Sequence, residues 1–333
     1  MICPMRAALA LFTAIVLALW WPLAAHAAAA DSVANYPDKP IRLIVPAGPG
    51  SANDTLARIL ALRLGDALGR QIVVDNRAGA SGIIAAETVA HAAPDGYTLL
   101  NVSAATGVIF PQLHKNLSYD PLQDLIPITL FGITHNAMVV HPSLPARSVK
   151  DLIALAKSQP GKLNMASAGA GTQSHLAGIQ FLVLAGIDAV HVPYKDGGAS
   201  VASVMANEAQ FVISPLPAVL PHVRSGRLRA LGTGGDKRSK QLPDVPTISE
   251  AGLPGYQSTG WSGLQAPKGI PRTIIDKLNT TLAKVMNQPD TREQIERQGA
   301  EPVTSTPAEF ASFIREEWNR FGPAIKAAGL KVE

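Results

Sequence analysis

Short apolar runs alternate with amphipathic segments along most of the chain. The run Ile41–Val45 predicts a buried strand. After a Pro/Gly loop, apolar residues recur at helical spacing, with Asn53 or Asp54 as the N-cap and Gly69 at the end. The next predicted elements are a strand, a helix and a strand, at Gln71–Asp75, Ile83–Ala92 and Tyr97–Val102. This order predicts a mostly parallel sheet flanked by helices.

A second unit of the same kind begins near Val139. Ser148 and Asp151 predict a capping box at the start of a helix. The elements that follow are strands at Leu163–Ser167, Ala189–Tyr194, Gln210–Ser214 and Leu228–Gly232, and helices at Gln173–Ala185 and Ala199–Ala206. The Pro-rich stretch Leu242–Gly255 predicts a surface connection.

Two helices are predicted near the C-terminus. Pro271 is suited to be the first residue of a helix that runs to Asn287. Thr306 and Glu309 predict a capping box that opens a final amphipathic helix, with Trp318 on its apolar side. A chain of this length, with alternating strands and helices, predicts an α/β protein of two lobes.

The N-terminus has the pattern of a secretory signal. Residues Met1–Arg6 carry one positive charge, Ala7–Trp21 is uncharged and apolar, and Ala25–Ala27 reads Ala-His-Ala. A transmembrane anchor is the alternative, but the apolar run is shorter than the roughly 20 residues that a membrane span needs. We therefore expect residues 1–27 to be a signal peptide, cleaved after Ala27 or a little later, and the mature protein to be periplasmic.

Composition excludes several classes of function. Cys3 is the only cysteine, so the mature chain has no disulfide. The formal net charge is +4, and removal of Arg6 leaves 28 basic and 25 acidic residues. Aromatic residues are few and do not interleave with basic ones, so we expect no nucleic-acid partner. A mildly positive surface suits anionic solutes.

No motif predicts an enzyme, a cofactor or a metal site. The chain lacks a G-x-S-x-G elbow, an H-E-x-x-H pair, a Walker A loop and a C-x-x-C pair, and its eight histidines are scattered. The loop Gly48–Asn53 lies between a strand and a helix, where a dinucleotide fingerprint would lie, but Asn53 replaces its third glycine. We therefore expect a protein that is not an enzyme, with no cofactor and no metal.

Two loops rich in small residues are the best candidates for a binding site. Gly48–Asp54 and Gly169–Ser174 each join a strand to a helix. Backbone N–H groups in such loops, together with the helix dipole, bind an oxyanion without a formal cation. Neutral side-chain donors are available at Ser51, Asn53, Ser167, Thr172, Gln173 and Ser174. Either loop alone is equally well explained as a tight turn, but one loop per unit predicts a cleft at the carboxyl ends of the strands.

Eight segments together carry a family resemblance. They are Tyr36–Pro46, Asp75–Gly82, Ala93–Leu100, Pro160–Asn164, Ser167–Thr172, His191–Lys195, Leu242–Thr247 and Glu250–Gly255. With these segments in this order, the chain resembles the tripartite tricarboxylate transporter (TTT) substrate-binding proteins, also called Bug receptors. The resemblance covers essentially the whole mature chain.

The resemblance implies a two-lobed periplasmic binding protein fold, type II-like, with two inter-lobe crossovers. Each lobe is expected to hold a mixed, mostly parallel sheet flanked by helices. Lobe 1 would comprise 36–138 and 262–333, and lobe 2 would comprise 139–261. Hinge strands would lie near Ala137–His141 and Thr259–Gln265, with Trp261 as a cleft, hinge or core residue.

The resemblance also implies a function. Such a monomer captures a small carboxylate, such as a di- or tricarboxylate or an amino acid, by hinge closure, and delivers it to a TTT membrane permease. A sensor protein in the membrane is the alternative partner, and a periplasmic enzyme on the same scaffold is the third reading. The candidate ligand-binding residues are Pro46, Ala47, Gly48, Ser51, Asn53, Ser167, Ala168, Gly171, Thr172, Gln173, Tyr194, Asp196 and Gly197.

The chain departs from the family pattern at four positions. Ser51 and Ala52 stand where the first loop has glycines, Asp196 stands in place of a glycine after Tyr-Lys, and Gln210 replaces a frequent aspartate. Asp196 would either place a negative charge near the cleft or face solvent. These departures concern the identity of the ligand and leave the expected fold unchanged.

Overall fold

The computed structural model describes residues 35–49, 51–79, 82–114 and 116–327, so the predicted signal peptide lies outside the described residues. The strands are β1 (Ile41–Val45), β2 (Ile72–Asn76), β3 (Thr98–Ser103), β4 (Leu125–Val140), β5 (Asn164–Ser167), β6 (Val190–Pro193), β7 (Phe211–Pro215), β8 (Arg229–Thr233), β9 (Thr259–Pro267) and β10 (Glu301–Pro302). The helices are α1 (Ala52–Leu68), α2 (Ile83–Ala90), α3 (Phe110–Leu113, preceded by a π-helical turn, Ala105–Ile109), α4 (Val149–Ser158), α5 (Gln173–Ala185), α6 (Gly197–Met205), α7 (Leu216–Arg224), α8 (Arg272–Met286), α9 (Pro289–Arg297) and α10 (Pro307–Ala327).

Strands β2, β1 and β3 form a parallel set at one end of the sheet. Ile41 of β1 pairs with Ile72 of β2, and β3 lies on the other side of β1. The strands predicted at Gln71–Asp75 and Tyr97–Val102 are confirmed, each displaced by one residue toward the C-terminus. Helix α1 ends as predicted at Gly69, whose φ of 68° is a conformation that favours glycine.

Strands β6, β5 and β7 form a second parallel set at the other end. Met165 of β5 pairs with His191 of β6 on one side and with Phe211 of β7 on the other. The strands and helices predicted for this unit are confirmed within about two residues at each end.

The long strands β4 and β9 join the two sets. Strand β4 pairs with β9 from Leu125 to His135, and from Asn136 onward it pairs with β7. Each antiparallel pair of the described sheet includes β4 or β9. The sheet is therefore mixed, parallel within each outer set and antiparallel where the chain crosses. The predicted two-lobed fold with two crossovers is confirmed.

The change of partners on β4 lies between His135 and Asn136, immediately before the predicted hinge segment Ala137–His141. Strand β9 begins at Thr259, the first residue of the second predicted hinge segment. The exact lobe boundaries, at 138/139 and 261/262, stay predictions.

Apolar side chains pack on both faces of each set of strands. Leu43 and Ile44 are neighbours on β1 but belong to different core clusters, and so do Met138 and Val139 on β4. Successive side chains of a strand point to opposite faces, so a strand that is covered on both faces reads as a continuous apolar run. Among the helices of the described part of the chain, none has the length and apolar character to cross a membrane.

Three predictions about local structure were wrong. The N-cap of α1 is Ser51 and not Asn53 or Asp54, both of which lie inside the helix, because the Ser51 side chain accepts from Asp54 N. Pro271 is not the first helical residue, because its ψ of 135° is extended and α8 begins at Arg272. The stretch Leu242–Gly255 is not only a surface connection, since Ile248 and Leu253 are buried in the core with Tyr256. Proline content suggested an exposed loop there, but the turns that the prolines make return apolar side chains to the core.

The two predicted capping boxes differ in detail. Thr306 and Glu309 form a reciprocal pair, in which each backbone N–H donates to the other side chain, at 2.7 and 3.2 Å. Ser148 Oγ accepts from Asp151 N at 3.1 Å, but the Asp151 carboxylate accepts from Arg147 N instead of Ser148 N. Helices α7 and α9, which the sequence analysis did not predict, both have a proline in the first turn.

Trp261 is a core residue on the face of β9 that packs against α10. Its ring meets Phe310 and Phe313 edge-on, with centroid distances of 5.7 and 5.5 Å. Its Nε1 donates to Glu317 Oε2 at 3.1 Å. Gly263 lies two residues further along the same face, where a Cβ would come within 2.1 Å of Phe310. Glycine is therefore required at 263 for α10 to pack this closely.

We predict that Gly263→Ala destabilises the protein by about 1–3 kcal/mol, because the added methyl group overlaps Phe310 in a packed core. The matched control is Gly132→Ala on the neighbouring strand β4, where a Cβ makes only an ordinary contact of 4.0 Å with Leu56. Chemical denaturation measures both. Equal midpoints for the two variants would contradict the packing argument.

Candidate functional site

The first predicted ligand loop follows β1, and residues after β2 and β3 lie beside it. A Cβ at Gly82 would lie 2.9 Å from Pro46 Cβ and 2.7 Å from Thr106 Oγ1. The φ of Gly82 is 89°, so both space and backbone conformation require glycine there. At Gly48, in contrast, a Cβ would have no atom within 4 Å and would face open space. The loop is thus supported at Pro46 and open at Gly48.

A buried carboxylate is linked to this loop by hydrogen bonds through Asn76. Asp54 is 1% exposed, and its Oδ1 accepts from Asn76 Nδ2 at 2.8 Å. The same Asn76 nitrogen donates to Ala47 O at 2.9 Å. Ser51 caps α1 by accepting from Asp54 N at 3.2 Å. Ala47 and Ser51 are therefore held in place by α1 and by the end of β2.

Asn53 turns its side chain toward β9. Its Oδ1 accepts from Ser262 Oγ at 3.2 Å and from Asn101 Nδ2 at 3.3 Å. Asn101 is fully buried and Ser262 nearly so. Sequence reasoning missed both, although a buried asparagine within an apolar strand is itself an unusual residue for a core.

The second predicted loop follows β5 and ends at the N-cap of α5. Ser167 is fully buried, and Thr172 caps α5 by accepting from His175 N at 3.4 Å. Gly169 and Gly171 have φ values of 120° and 75°, which other residues rarely adopt. The loop conformation therefore depends on its two glycines.

The N–H groups of this loop donate to side chains of the same segment. Gly169 N donates to Ser167 Oγ at 3.2 Å, and Gly171 N donates to His175 Nδ1 at 3.1 Å. Ala168 N donates to Ser174 Oγ at 3.0 Å. The prediction that backbone N–H groups here hold an anion stays untested, but these three donors already have partners.

Gln173 has a donor that lacks a partner. Its Nε2 is buried and makes no hydrogen bond to the described residues. Both terminal atoms of its amide lie 3.2 Å from the Cβ position of Gly260 on β9. Gly260 and Ser262 are two residues apart and so point to the same face of the strand. The side chains of Asn53 and Gln173, from the two predicted loops, thus lie beside neighbouring positions on one face of β9.

The third predicted segment continues from β6 into α6. Tyr194 N donates to Ser167 O at 2.9 Å, which extends the β5–β6 pairing into the loop. Asp196 is exposed and caps α6, accepting from Ala199 N at 2.8 Å. Gly197 has open space around its Cβ position. The charge of Asp196 therefore serves the N-terminus of a helix, where an anion is favourable.

Two histidines beneath the second loop were not predicted. The rings of His175 and His191 are stacked, with centroids 3.8 Å apart and an angle of 14° between the planes. His191 Nε2 lies 2.7 Å from Ser167 Oγ. Burial, with the neighbouring His191 second, lowers the pKa of His175 from 6.5 to about 4, and burial also lowers the pKa of His191. Both imidazoles are therefore neutral at pH 7.

A groove of about 860 Å³ beside β4 shares no residue with the predicted site. It lies between α7 and α9 and carries both signs of charge, including Arg224 and Glu293. Gln241 Nε2 donates to Glu296 O across it at 3.0 Å. This hydrogen bond joins segments that were predicted to belong to different lobes. Within the described ranges, no three His, Cys, Asp or Glu side chains are grouped to hold a metal ion.

The comparisons with known proteins agree on one family. The model of the family described as "Tripartite tricarboxylate transporter family receptor" matches residues 56–330. Protein BugT of Bordetella pertussis (strain Tohama I) is 37% identical over 307 residues, which are 92% of this chain and 94% of BugT.

Solved structures have the same fold. A protein of R. palustris, solved with adipate, is 33% identical with a TM-score of 0.76, and the match covers 88% of this chain and 98% of that one. MatC from Rhodopseudomonas palustris, solved with bound malate, is 30% identical with a TM-score of 0.73, over 87% of this chain and 100% of MatC.

We predict that Asn76→Ala destabilises the protein by about 1–3 kcal/mol, since Ala47 O and Asp54 Oδ1 each lose a hydrogen bond in a partly buried site. Asn116→Ala, at an exposed loop position, is the control and should change the stability little. The free energy of unfolding from urea titrations compares the two. An unchanged midpoint for Asn76→Ala would show that these two hydrogen bonds do not stabilise the protein.

Proposed function

The chain belongs to the tripartite tricarboxylate transporter family of receptors, and on that basis we propose that it is a periplasmic binding protein for a small carboxylate. The adipate and malate in the two structural relatives support this class of ligand. The acid for this chain is a di- or tricarboxylate, an amino acid or a related organic acid. Membership in the family also supports a TTT permease in the membrane as the partner.

The arrangement along β9 is the observation that carries the proposal. Asn53 approaches the strand at Ser262 and Gln173 approaches it at Gly260, from loops predicted to lie in different lobes. A solute bound between these loops contacts both lobes only when they are close. Its differential affinity for the closed form then shifts the population toward closure. We therefore assign the ligand site to the space over this face of β9.

The polar groups of the proposed site can bind an anion without the help of a positively charged side chain. Gln173 Nε2 is a buried donor without a protein partner among the described residues, and it can donate to a carboxylate oxygen. The positive end of the α5 dipole lies at the same place. Gly48 leaves open space beside the first loop. The thirteen candidate residues from the sequence are kept as the proposed ligand surroundings.

We infer binding without turnover. Ser167 and His191 are within hydrogen-bond distance, as a nucleophile and its base would be. However, Ser167 is fully buried, and its hydroxyl also accepts from Gly169 N. A substrate carbonyl has no path to that oxygen in this conformation. The pair supports the shape of the loop, and we propose no catalytic residue.

The N-terminal sequence supports export. Residues 1–27 have the signal-peptide pattern, and Cys3 within them is the only cysteine of the chain. We propose that the mature protein begins at or shortly after residue 28 and acts as a monomer in the periplasm.

We predict that a dicarboxylate raises the melting temperature of the mature protein, because a ligand that binds only the folded state stabilises it by mass action. At about 100 times the Kd the rise should be roughly 5 °C or more. Adipate and malate open a panel of mono-, di- and tricarboxylates and amino acids, and adipamide is the uncharged control. NMR of the recovered acid should show no product. A panel without any shift, or with equal shifts for adipate and adipamide, would overturn the proposal.

A variant with a filled loop tests the position of the site. Gly48→Leu should leave the melting temperature without ligand within a few degrees, because a Cβ at this position has no atom within 4 Å and the φ of Gly48 is outside the left-handed region. It should weaken binding of the best acid by roughly tenfold or more, since the side chain occupies the proposed cleft. Ala202→Leu, on an exposed position of α6, is the matched control and should bind normally. Calorimetric titration measures both, and normal binding by Gly48→Leu would move the site elsewhere.

A further inference from the structure

We propose that His175 and His191 are positioning residues for the ligand loop Ser167–Thr172, and that the loop keeps its binding shape only while the His175 imidazole is uncharged. The inference rests on the proposed function insofar as this loop binds the ligand. It adds a pair of residues that contact the loop from beneath and need not contact the ligand.

The pair holds both ends of the loop. His191, on β6, has Nε2 2.7 Å from Ser167 Oγ, where the loop begins. His175, in the first turn of α5, accepts from Gly171 N at 3.1 Å, where the loop ends. Stacking at a centroid distance of 3.8 Å ties the two rings together. The separation of Ser167 and Gly171 is thereby set by a pair of rings from two different elements.

The hydrogen bond at Gly171 requires a neutral ring. An uncharged imidazole has one acceptor nitrogen, and in His175 that nitrogen is Nδ1, because a backbone N–H points at it. A protonated imidazole has two donors and no acceptor. Protonation of His175 would therefore leave two donors facing each other at a site where the residue is 3% exposed. Gly171 would have to move, and its φ of 75° would no longer be fixed.

The surroundings oppose a charge on the pair. The titratable group that faces His175 is His191, on β6, and it would repel a second positive charge. The loop and the start of α5 contribute hydroxyl and backbone groups, those of Ser167, Thr172 and Ser174. In the loop after β6, Lys195 and Asp196 are exposed, and the Asp196 side chain caps α6. The burial that keeps both rings neutral is thus not offset by a nearby carboxylate among these groups.

The sign of the pH effect follows from the direction of the shift. The pKa of His175 is lowered from 6.5 to about 4 in the folded protein, so below pH 6.5 the unfolded state takes up the proton first. Stability from this residue is complete above pH 6.5 and is lost as the pH falls toward 4. If the loop binds the ligand, the affinity declines only where the folded protein itself takes up the proton, near pH 4, because the protonated protein cannot keep the loop in place.

Two substitutions separate the hydrogen bond from the charge. His175→Asn places Oδ1 close to the position of Nδ1, where it can accept from Gly171 N but cannot titrate. His175→Leu has a similar volume and no acceptor. His91→Asn, at an exposed histidine, is the control. Adipate, or the acid of the panel with the largest thermal shift, is the probe, titrated calorimetrically from pH 7.5 to pH 3.5.

We expect His175→Leu to lose roughly tenfold or more in affinity at pH 7.5, and His175→Asn to stay within about threefold of the unsubstituted protein. As the pH approaches 4, the affinity of the unsubstituted protein should fall more steeply than that of His175→Asn. Protonation of the acid itself affects both proteins equally, so the difference between them reports the histidine. Equal pH profiles would overturn the requirement for a neutral ring, and normal affinity in His175→Leu would overturn the positioning role.

A measurement without ligand separates this inference from the proposed function. Amide hydrogen exchange of the segment 168–176 should be slow at pH 7.5 in the unsubstituted protein and in His175→Asn, and markedly faster in His175→Leu. If no acid binds but this pattern holds, the proposed ligand class is wrong and the histidine pair still positions the loop. If the amides exchange equally in all three proteins, the positioning role is wrong whatever the protein binds.

Discussion

The antiparallel pairing of β4 with β9 is the interaction on which the rest of the structure depends. From Leu125 to His135 it joins segments that are far apart in the sequence, and one residue later β4 begins to pair with β7. The single strand β4 thus connects the two parallel sets of strands. Because the lobes are joined through β4 and β9, any change in their relative angle has to bend these strands near Asn136 and Thr259.

The alternation of side chains on β9 directs one face to the aromatic core beside α10 and the other to the proposed binding site. Trp261 and Gly263 face α10, where the aromatic cluster leaves no room for a Cβ at 263. Gly260 and Ser262 face the predicted loops. A shift of one residue in the register would exchange the two faces and place Trp261 against the polar loops. The register that packs α10 is therefore also the register that builds the site.

Local signals in the sequence were sufficient to predict the strands and helices, but they could not predict the contacts between them. Apolar runs located β1 and β5, and Gly69 and Thr306 marked helix ends, because each of these depends on neighbours in the sequence. The two crossovers between the lobes were predicted from the family resemblance and not from local signals. The stack of His175 on His191 joins residues of two elements, and in the sequence each is one scattered histidine among eight. Asn101 was missed for the same reason, since its partner Asn53 lies on a distant helix.

The internal hydrogen bonds of the second loop bear on how a ligand is selected. Because Ala168, Gly169 and Gly171 already donate within the segment, the loop is formed before a solute arrives and little ordering entropy remains to be lost. The buried Nε2 of Gln173 is different, since an unsatisfied donor costs about 1–3 kcal/mol. A solute oxygen that accepts from it removes that cost only when the loops are close to β9. Among carboxylates, selectivity then depends on whether a solute reaches Gln173 and the Asn53 side together, and so on its length and shape.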